Sequence, residues 1–179
     1  MCRCSMNATN GQSVRRLTRI ALLAFLATIG FDLFLHAGVL APLYAQPDSF
    51  LLAPREAFFR IPIGYASFML LIALVTWLMP QLRVIGLARG LRFGLIFGML
   101  VWGSFVSGLA SISTAPTDLL FGWFVGQTLE FGVIGLVVGG GLARANLKPL
   151  AWKVLVFAVV AAAIGIAIQN ALGVRFSGA

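Results

Sequence analysis

The chain has 179 residues, of which 60% are hydrophobic and only 10% are charged, and its mean hydropathy is +1.01. Soluble domains are about 45–50% apolar and about 25% charged, so this composition excludes a soluble enzyme, a disordered chain and a nucleic-acid-binding protein. The formal net charge of +8 therefore bears on orientation in a membrane rather than on a nucleic-acid partner.

Five apolar segments are long enough to cross the hydrocarbon core, which takes about 20 residues of helix. We predict transmembrane helices, called spans 1 to 5, over residues 20–43, 61–79, 93–113, 119–142 and 154–171. Of the 13 basic and 5 acidic residues, only Asp32 and Glu130 fall inside them. Lipid cannot hydrogen-bond a bare backbone, so these segments must be helical. The predicted fold is all-α, a polytopic integral membrane helical bundle with a cytoplasmic basic tail (1–19), one transmembrane domain (20–171) and a short C-terminal tail (172–179).

Span 1 carries three polar residues on one helical face. Asp32 lies near its centre, His36 follows four residues later, and Thr28 precedes Asp32 by one turn. In the tail before the span, Cys2 and Cys4 form a Cys-x-Cys pair. This pair is either a metal-binding motif or two reduced thiols of a cytoplasmic tail.

The connection between spans 1 and 2 predicts a helix on the outer surface. Residues 44–60 alternate aromatic and charged side chains, which is typical of a segment that lies in the membrane interface. Pro54 is a favourable first residue for a short helix, in which Glu56 and Arg60 would pair one turn apart. The segment is either a lid or docking surface for a partner, or a re-entry segment that its aromatic residues anchor.

Small residues indicate the faces on which spans 3 and 4 pack, because they allow close helix approach in lipid. We assign helix packing to glycines spaced by about four residues, at Gly94, Gly98, Gly122, Gly126, Gly135 and Gly139. Gly122 and Gly126 share a face of span 4 with Glu130, and Gly135 and Gly139 lie nearly opposite. Span 4 is therefore predicted to be the central helix. The glycines serve either packing within the chain or self-association.

The basic residues predict the orientation, because Lys and Arg in short loops stay cytoplasmic. Alternating loops place ten of them on one side, at Arg3, Arg15, Arg16, Arg19, Arg83, Arg89, Arg92, Arg144, Lys148 and Lys153. The other side receives three, at Arg55, Arg60 and Arg175. We therefore expect a multi-pass protein of the bacterial inner membrane with its N-terminus cytoplasmic and its C-terminus outside.

A buried polar group joins spans 1 and 4. Asp32 and Glu130 lie at similar depth near the midplane, and Gln127 is three residues before Glu130. Intramembrane ionisable residues face the bundle interior and often mark ion or proton pathways. We predict that Asp32 and Glu130 face each other or a shared cavity, with His36 at its outer edge. The candidates for binding a proton or cation are Asp32, His36, Glu130, Gln127, Ser104 and Ser107.

Two classes of function fit these residues. The first is a proton- or cation-coupled permease that works as an oligomer, and the second is a non-catalytic accessory subunit of a larger membrane complex, in which neutral acids only brace the helices. A metal or cofactor bound through His36 stays open. A hydrolase is disfavoured, because the chain contains neither Gly-x-Ser-x-Gly nor His-Glu-x-x-His. The expected partners are the lipid bilayer and other membrane subunits, with no nucleic acid.

Overall fold

The computed structural model describes residues 3–45, 50–52 and 54–173. Side chains are described from Ser13 onward within those ranges, except for Pro54. Cys2, the Cys4 side chain and the C-terminal residues 174–179, which include Arg175, lie outside this description. The described chain is helical without strands, and five of its helices are long and apolar enough to cross a membrane. The predicted all-helical membrane fold with five spans is therefore confirmed.

Span 1 is the first helix together with a π-helical segment, and spans 2 to 5 are one long helix each. The elements are α1 (Arg3–Asp32), the π segment (Leu33–Val39), α2 (Ala41–Tyr44), α3 (Pro54–Gln81), α4 (Leu87–Ile112), α5 (Thr117–Leu142) and α6 (Lys148–Ala171). Spans 2, 3, 4 and 5 correspond to α3, α4, α5 and α6. The helices extend beyond the apolar cores on which the sequence prediction rests, because helices continue through the polar interface.

Two segments expected to lie outside the membrane helices are continuous with them. The backbone of residues 3–19 is helical and forms the first half of α1, where a basic tail was expected. Pro54 does begin a helix, and Arg60 pairs with Glu56 at 2.6 Å, but that helix runs on as α3 to Gln81. The expected short helix is therefore not separate but forms the start of α3. Pro62 does not end this helix although it lies in its interior.

Helix α5 contacts α1, α3, α4 and α6. Half of the most apolar 18-residue stretch of α5 is buried inside the bundle, against 6% of the corresponding stretch of α4. Helix α4 packs chiefly on α5. Gly94 and Gly135 meet at the α4–α5 contact, where a Cβ atom added to Gly135 would lie 2.9 Å from the Gly94 Cα. On the other side, Gly126 leaves room for Leu35 of the π segment. The two small faces of α5 thus receive different neighbours.

The other glycines that were predicted to lie at helix contacts also have close neighbours. A Cβ atom at Gly139 would overlap the Gly86 carbonyl oxygen, and one at Gly98 would lie 2.7 Å from the Phe131 Cβ. Gly122 faces Leu40, which follows the π segment. All of these contacts lie within one chain, so the glycine rows pack the bundle's own helices.

The end of the bundle that carries the first half of α1 is tied together through carbonyl groups at the C-terminus of α5. Arg16 donates to the carbonyl oxygens of Arg144 at 2.7 Å and Leu142 at 3.2 Å. A cation there also interacts favourably with the partial negative charge of the helix end. The amide of Gly86, at a positive φ of 105°, donates to the Gly139 carbonyl at 2.9 Å. These bonds join the α3–α4 and α5–α6 connections to α1.

The π segment interrupts span 1 directly after Asp32. Its wider turn is closed by the amide of Leu40, which donates to the carbonyl of Leu35, five residues earlier, at 2.8 Å. The widened backbone lies against Gly165 of α6, where a Cβ atom would come within 2.7 Å of the Leu33 oxygen. The absence of a side chain at Gly165 therefore permits this segment to approach α6.

Candidate functional site

Three ionisable groups, two from span 1 and one from span 4, meet inside the bundle. Asp32 ends α1, His36 lies in the π segment, and Glu130 lies in the middle of α5. One potential ligand atom from each of the three residues lies within 4.8 Å of the other two. The Asp32 Oδ1 and His36 Nε2 atoms are 3.5 Å apart. The acids and the histidine that the sequence places at similar depth are thus neighbours in space.

Glu130 is the innermost member of this cluster. Its side chain is fully buried, and neither carboxylate oxygen has a hydrogen-bond partner among the described residues. The Oε1 atom of the adjacent Gln127, which is 2% exposed, is also without a partner there. An uncompensated polar group in an apolar interior costs several kcal/mol, so these oxygen atoms mark a place where a donor or a cation would be stabilised.

The other two ionisable side chains reach partly to the surface. The side chain of His36 is 26% exposed and that of Asp32 is 17% exposed. The cluster therefore has a closed inner end at Glu130 and a more open outer end at His36.

A chain of hydrogen bonds holds the imidazole of His36 on both sides. Its Nδ1 atom is 2.5 Å from the Tyr44 hydroxyl, and its Nε2 atom is 2.9 Å from Gln127 Nε2. The indole N–H of Trp123 donates to the Tyr44 hydroxyl oxygen at 2.6 Å. Burial raises the pKa of Tyr44, so its phenol stays neutral. The chain fixes the plane of the imidazole ring and leaves Nε2 on the side of the two acids.

A tyrosine from a third helix orients the carboxylate of Asp32. The Tyr65 hydroxyl of α3 donates to Asp32 Oδ2 at 3.1 Å. Asp32 Oδ1 is left on the side of His36. The cluster and its supports therefore draw on α1, the π segment, α2, α3 and α5.

Sequence reasoning missed Tyr44, Tyr65 and Trp123. The chain contains only two tyrosines, and both contact the cluster. A search for rare polar aromatic residues in or beside the apolar spans would have found them. Their contacts also needed the rotation of each helix about its axis, which apolar length alone does not give.

Two predicted site residues lie elsewhere. Ser104 and Ser107 are exposed on α4, which packs chiefly on α5, so the expectation that they line the site is wrong. A row of residues spaced by four drifts around a helix by about 40° per step. After Gly90, Gly94 and Gly98 the contact row therefore shifts away from the face that carries the serines. Thr28 is fully buried on α1, and its hydroxyl has no partner among the described residues.

Two carboxylates, an imidazole and a buried amide give the site oxygen and nitrogen donors for a proton or a cation. The hydroxyls of Tyr44 and Tyr65 and the indole N–H of Trp123 hold the His36 and Asp32 side chains in position without adding charge. Comparison with protein-family models, with curated proteins and with solved structures finds no match to this chain. The site geometry is therefore the basis for assigning a function.

Proposed function

We propose that this protein is a small membrane permease, coupled to protons or another cation, that binds its cation at Asp32, His36 and Glu130. The observation that carries the proposal is the meeting of these three groups within 4.8 Å inside a bundle of apolar helices. Ionisable side chains inside a membrane are costly and mark ion or proton pathways. On this proposal the protein is a carrier and not an enzyme.

The difference in exposure between the two ends of the site supports a pathway. Glu130 is fully buried, whereas Asp32 and His36 are partly exposed, so a cation enters past His36 and reaches Glu130 last. Gln127 connects the two ends, because it contacts His36 and lies one turn before Glu130 on α5. Five helices leave little room for a complete pathway, so the working unit is an oligomer.

The test is cation flux across vesicles that contain the purified protein. We expect proton-driven flux, read by a pH-sensitive dye inside the vesicles, to fall at least tenfold in Asp32→Asn and in Glu130→Gln. Glu56→Gln is the matched control, because Glu56 is exposed and, among the described residues, pairs only with Arg60. A monodisperse elution profile and an unchanged helical circular dichroism spectrum establish that each variant is folded. Full flux in both site variants would mean that the acids only brace the helices.

We also propose that the protein lies in a bacterial cytoplasmic membrane with its N-terminus inside and its C-terminus outside. The excess of basic residues in alternate connections supports this orientation. The bonds from Arg16 to the carbonyls of Leu142 and Arg144 support it too, since they bring two of the basic segments to one end of the bundle.

A second candidate, an accessory subunit of a larger membrane complex, is favoured by the outer half of α4. The small residues Ser104, Ser107, Gly108 and Ser111 are all exposed there. Small polar residues on one helix face are typical of contacts between transmembrane helices. Purification from the native membrane in mild detergent separates the candidates, since an accessory subunit elutes with a fixed partner and a permease elutes alone or as a homo-oligomer.

A further inference from the structure

We infer that Asp32, His36 and Glu130 form a binding site for one divalent transition-metal ion, such as Zn²⁺, Mn²⁺ or Fe²⁺. This inference rests on the proposed function and names the class of cation that the permease carries.

The spacing of the donors fits a single small ion. Two ligands that each lie about 2.1 Å from a tetrahedrally bound ion are roughly 3.4 Å apart. The Asp32 Oδ1 and His36 Nε2 atoms are 3.5 Å apart, so these two donors already have the separation of ligands on one metal. The three donor atoms lie within 4.8 Å of one another, so the Glu130 carboxylate moves toward the other two donors when the ion binds.

The charge of the donors selects a divalent ion. With the ion bound, two ionised carboxylates and a neutral imidazole carry a charge of minus two, which a divalent cation cancels. A monovalent ion would leave the second carboxylate either charged in an apolar environment, where unpaired charge is costly, or protonated and therefore a weaker ligand. The nitrogen donor of His36 disfavours Mg²⁺ and Ca²⁺, which prefer oxygen ligands, and favours a transition metal.

Glu130 and Gln127 provide the independent sign that a ligand belongs here. Both Glu130 carboxylate oxygens and the Gln127 Oε1 atom lack hydrogen-bond partners among the described residues, although both side chains are almost completely buried. A metal ion would satisfy the Glu130 carboxylate. It would displace the Gln127 amide nitrogen, which lies 2.9 Å from His36 Nε2, and the unpartnered Oε1 would then be available as a fourth ligand.

The residues around the donors are those that commonly hold metal ligands. A metal-binding histidine usually donates its other ring N–H to a neighbouring acceptor, which sets the tautomer and orients the ring. The Tyr44 hydroxyl, 2.5 Å from His36 Nδ1, is in that place. Tyr65 holds Asp32 Oδ2 and leaves Oδ1 facing the histidine. Tyr44 and Tyr65 are thus positioning residues, and the metal itself contacts the three ionisable side chains.

The test is metal binding to the full-length chain in detergent, purified with an affinity tag that contains no histidine. After chelator treatment, equilibrium dialysis against Zn²⁺ followed by elemental analysis gives the stoichiometry, and Co²⁺ gives an absorption spectrum. Because thiolates also bind both metals, the measurements are made with and without Cys2→Ser and Cys4→Ser. We expect one ion per chain in both backgrounds. We also expect visible Co²⁺ bands without the ultraviolet charge-transfer band of a sulfur ligand.

The variants identify the ligands. We expect His36→Asn, Asp32→Asn and Glu130→Gln each to weaken Zn²⁺ binding at least tenfold, whereas Glu56→Gln binds like the unaltered chain. Excess Mg²⁺ or Ca²⁺ does not displace the Zn²⁺. The inference is wrong if the chain binds no Zn²⁺ or Co²⁺, or if binding disappears with the two cysteines and survives in the three site variants.

The outcomes for metal binding and for flux are separable. Metal binding at these residues, without flux of either protons or Zn²⁺ across vesicles that contain the protein, would uphold the site and overturn the permease. Proton flux that depends on Asp32 and Glu130, in a chain that binds no metal, would uphold the permease and overturn the metal site.

Discussion

An uncharged side chain in place of Glu130 should support the fold about as well as the carboxylate does. Glu130 is fully buried, and its carboxylate oxygens have no partner among the described residues. Glu130→Gln keeps the shape of the side chain and removes an ionisable group from an apolar environment. We therefore expect the melting temperature in detergent to stay the same or rise, while flux and metal binding fall.

The matched control for that measurement is Glu56→Gln. It removes one partner of an exposed pair with Arg60, which is worth at most about 1 kcal/mol, and it should leave flux and metal binding intact. A large drop in the melting temperature of Glu130→Gln alone would indicate that the carboxylate has a bracing role.

Tyr44 is the residue through which Trp123 and His36 are connected. In Tyr44→Phe the indole N–H of Trp123 and the Nδ1 atom of His36 lose their shared partner. An unsatisfied buried group costs about 1–3 kcal/mol, so we expect a lower melting temperature. Loss of an outer partner of a metal-binding histidine typically weakens metal affinity by about 10–100-fold, and we expect a change of that size for Zn²⁺.

Ser111→Ala is the control for Tyr44→Phe, because it removes an exposed hydroxyl that, within the described part of the chain, bonds only to the Gly108 carbonyl. Its melting temperature and Zn²⁺ affinity should equal those of the unaltered chain. An unaltered Zn²⁺ affinity in Tyr44→Phe would show that Tyr44 does not position His36.

The sequence is sufficient to find the ionisable residues of the site but not the residues that hold them. Asp32 and Glu130 stand out because they are the only formal charges inside the predicted spans, and span length places them at one depth. Tyr65 and Trp123 contact the site because of how their helices are rotated and packed. Helix rotation depends on contacts between distant segments, and a single sequence does not specify it where several faces are equally apolar.

At the scale of helices, the α4–α5 contact should be the least tolerant of added volume. A Cβ atom at Gly94 would overlap the Phe131 carbonyl and lie 3.2 Å from the Gly132 Cα. Overpacking costs about 1–3 kcal/mol or more, and a backbone carbonyl cannot rotate away as a side chain can. We expect Gly94→Leu to lower both the folded yield and the melting temperature in detergent.

Gly108→Leu is the matched control, since Gly108 is on the same helix and has nothing within 4 Å of an added Cβ atom. It should leave both quantities unchanged. Equal stability of the two leucine variants would contradict the close α4–α5 contact.

Gly165 should affect the site although no hydrogen bond connects it to the cluster. A Cβ atom there would lie 2.7 Å from both the Leu33 oxygen and the Phe34 Cα, so Gly165→Ala must push the π segment away from α6. We expect the change to displace His36 and to reduce flux and Zn²⁺ affinity at least tenfold.

Gly64→Ala is the control for this variant, because nothing lies within 4 Å of its added Cβ atom. Alanine is favoured over glycine in a helix by about 1 kcal/mol, so this control should be as stable as the unaltered chain or more so. Normal flux in Gly165→Ala would show that the site does not depend on this contact.

The existence of the long helices was predictable, but some of their ends and their interruption were not. Apolar length identifies each span, whereas the boundary of α3 depends on residues 54–60, whose charged side chains are compatible with both a surface helix and an extension of span 2. The π segment was not predictable either. Its backbone widens against Gly165 of a helix more than 120 residues away, and local sequence gives no sign of that contact.

For the whole molecule, the decisive measurement is topology. Reporter fusions that are active on only one side of the membrane, joined at Ser13 and after Ala179, should report opposite sides. The reason is that five spans place the two ends of the chain on different faces, and the ten-to-three distribution of basic residues sets which face is cytoplasmic. A fusion in the α4–α5 connection, at Thr114, should report the same side as the C-terminal fusion. Two terminal fusions on one side would contradict the count of five spans.

The overall architecture follows from the sequence more completely than the site does. A membrane constrains segments by length and charge alone, so Asp32 and Glu130 could be assigned to spans without knowledge of packing. The arrangement of helices around α5 needed the glycine faces as well, and Gly126 and Gly135 do lie at contacts with different neighbours.

The π segment has an evolutionary consequence. A single π turn accommodates one more residue than the α-helical turn it replaces, and such turns are frequent at functional sites. Deleting one residue between Leu33 and Val39 would restore a regular helix and rotate everything on one side of the deletion relative to the other. Asp32 and Tyr44, which lie on either side of the π segment, would then be turned relative to each other by about 100°, although both side chains would still be encoded. Insertion or deletion of one residue is therefore enough to create or remove this arrangement, and a comparison that asks only which site residues are present would not reveal the change.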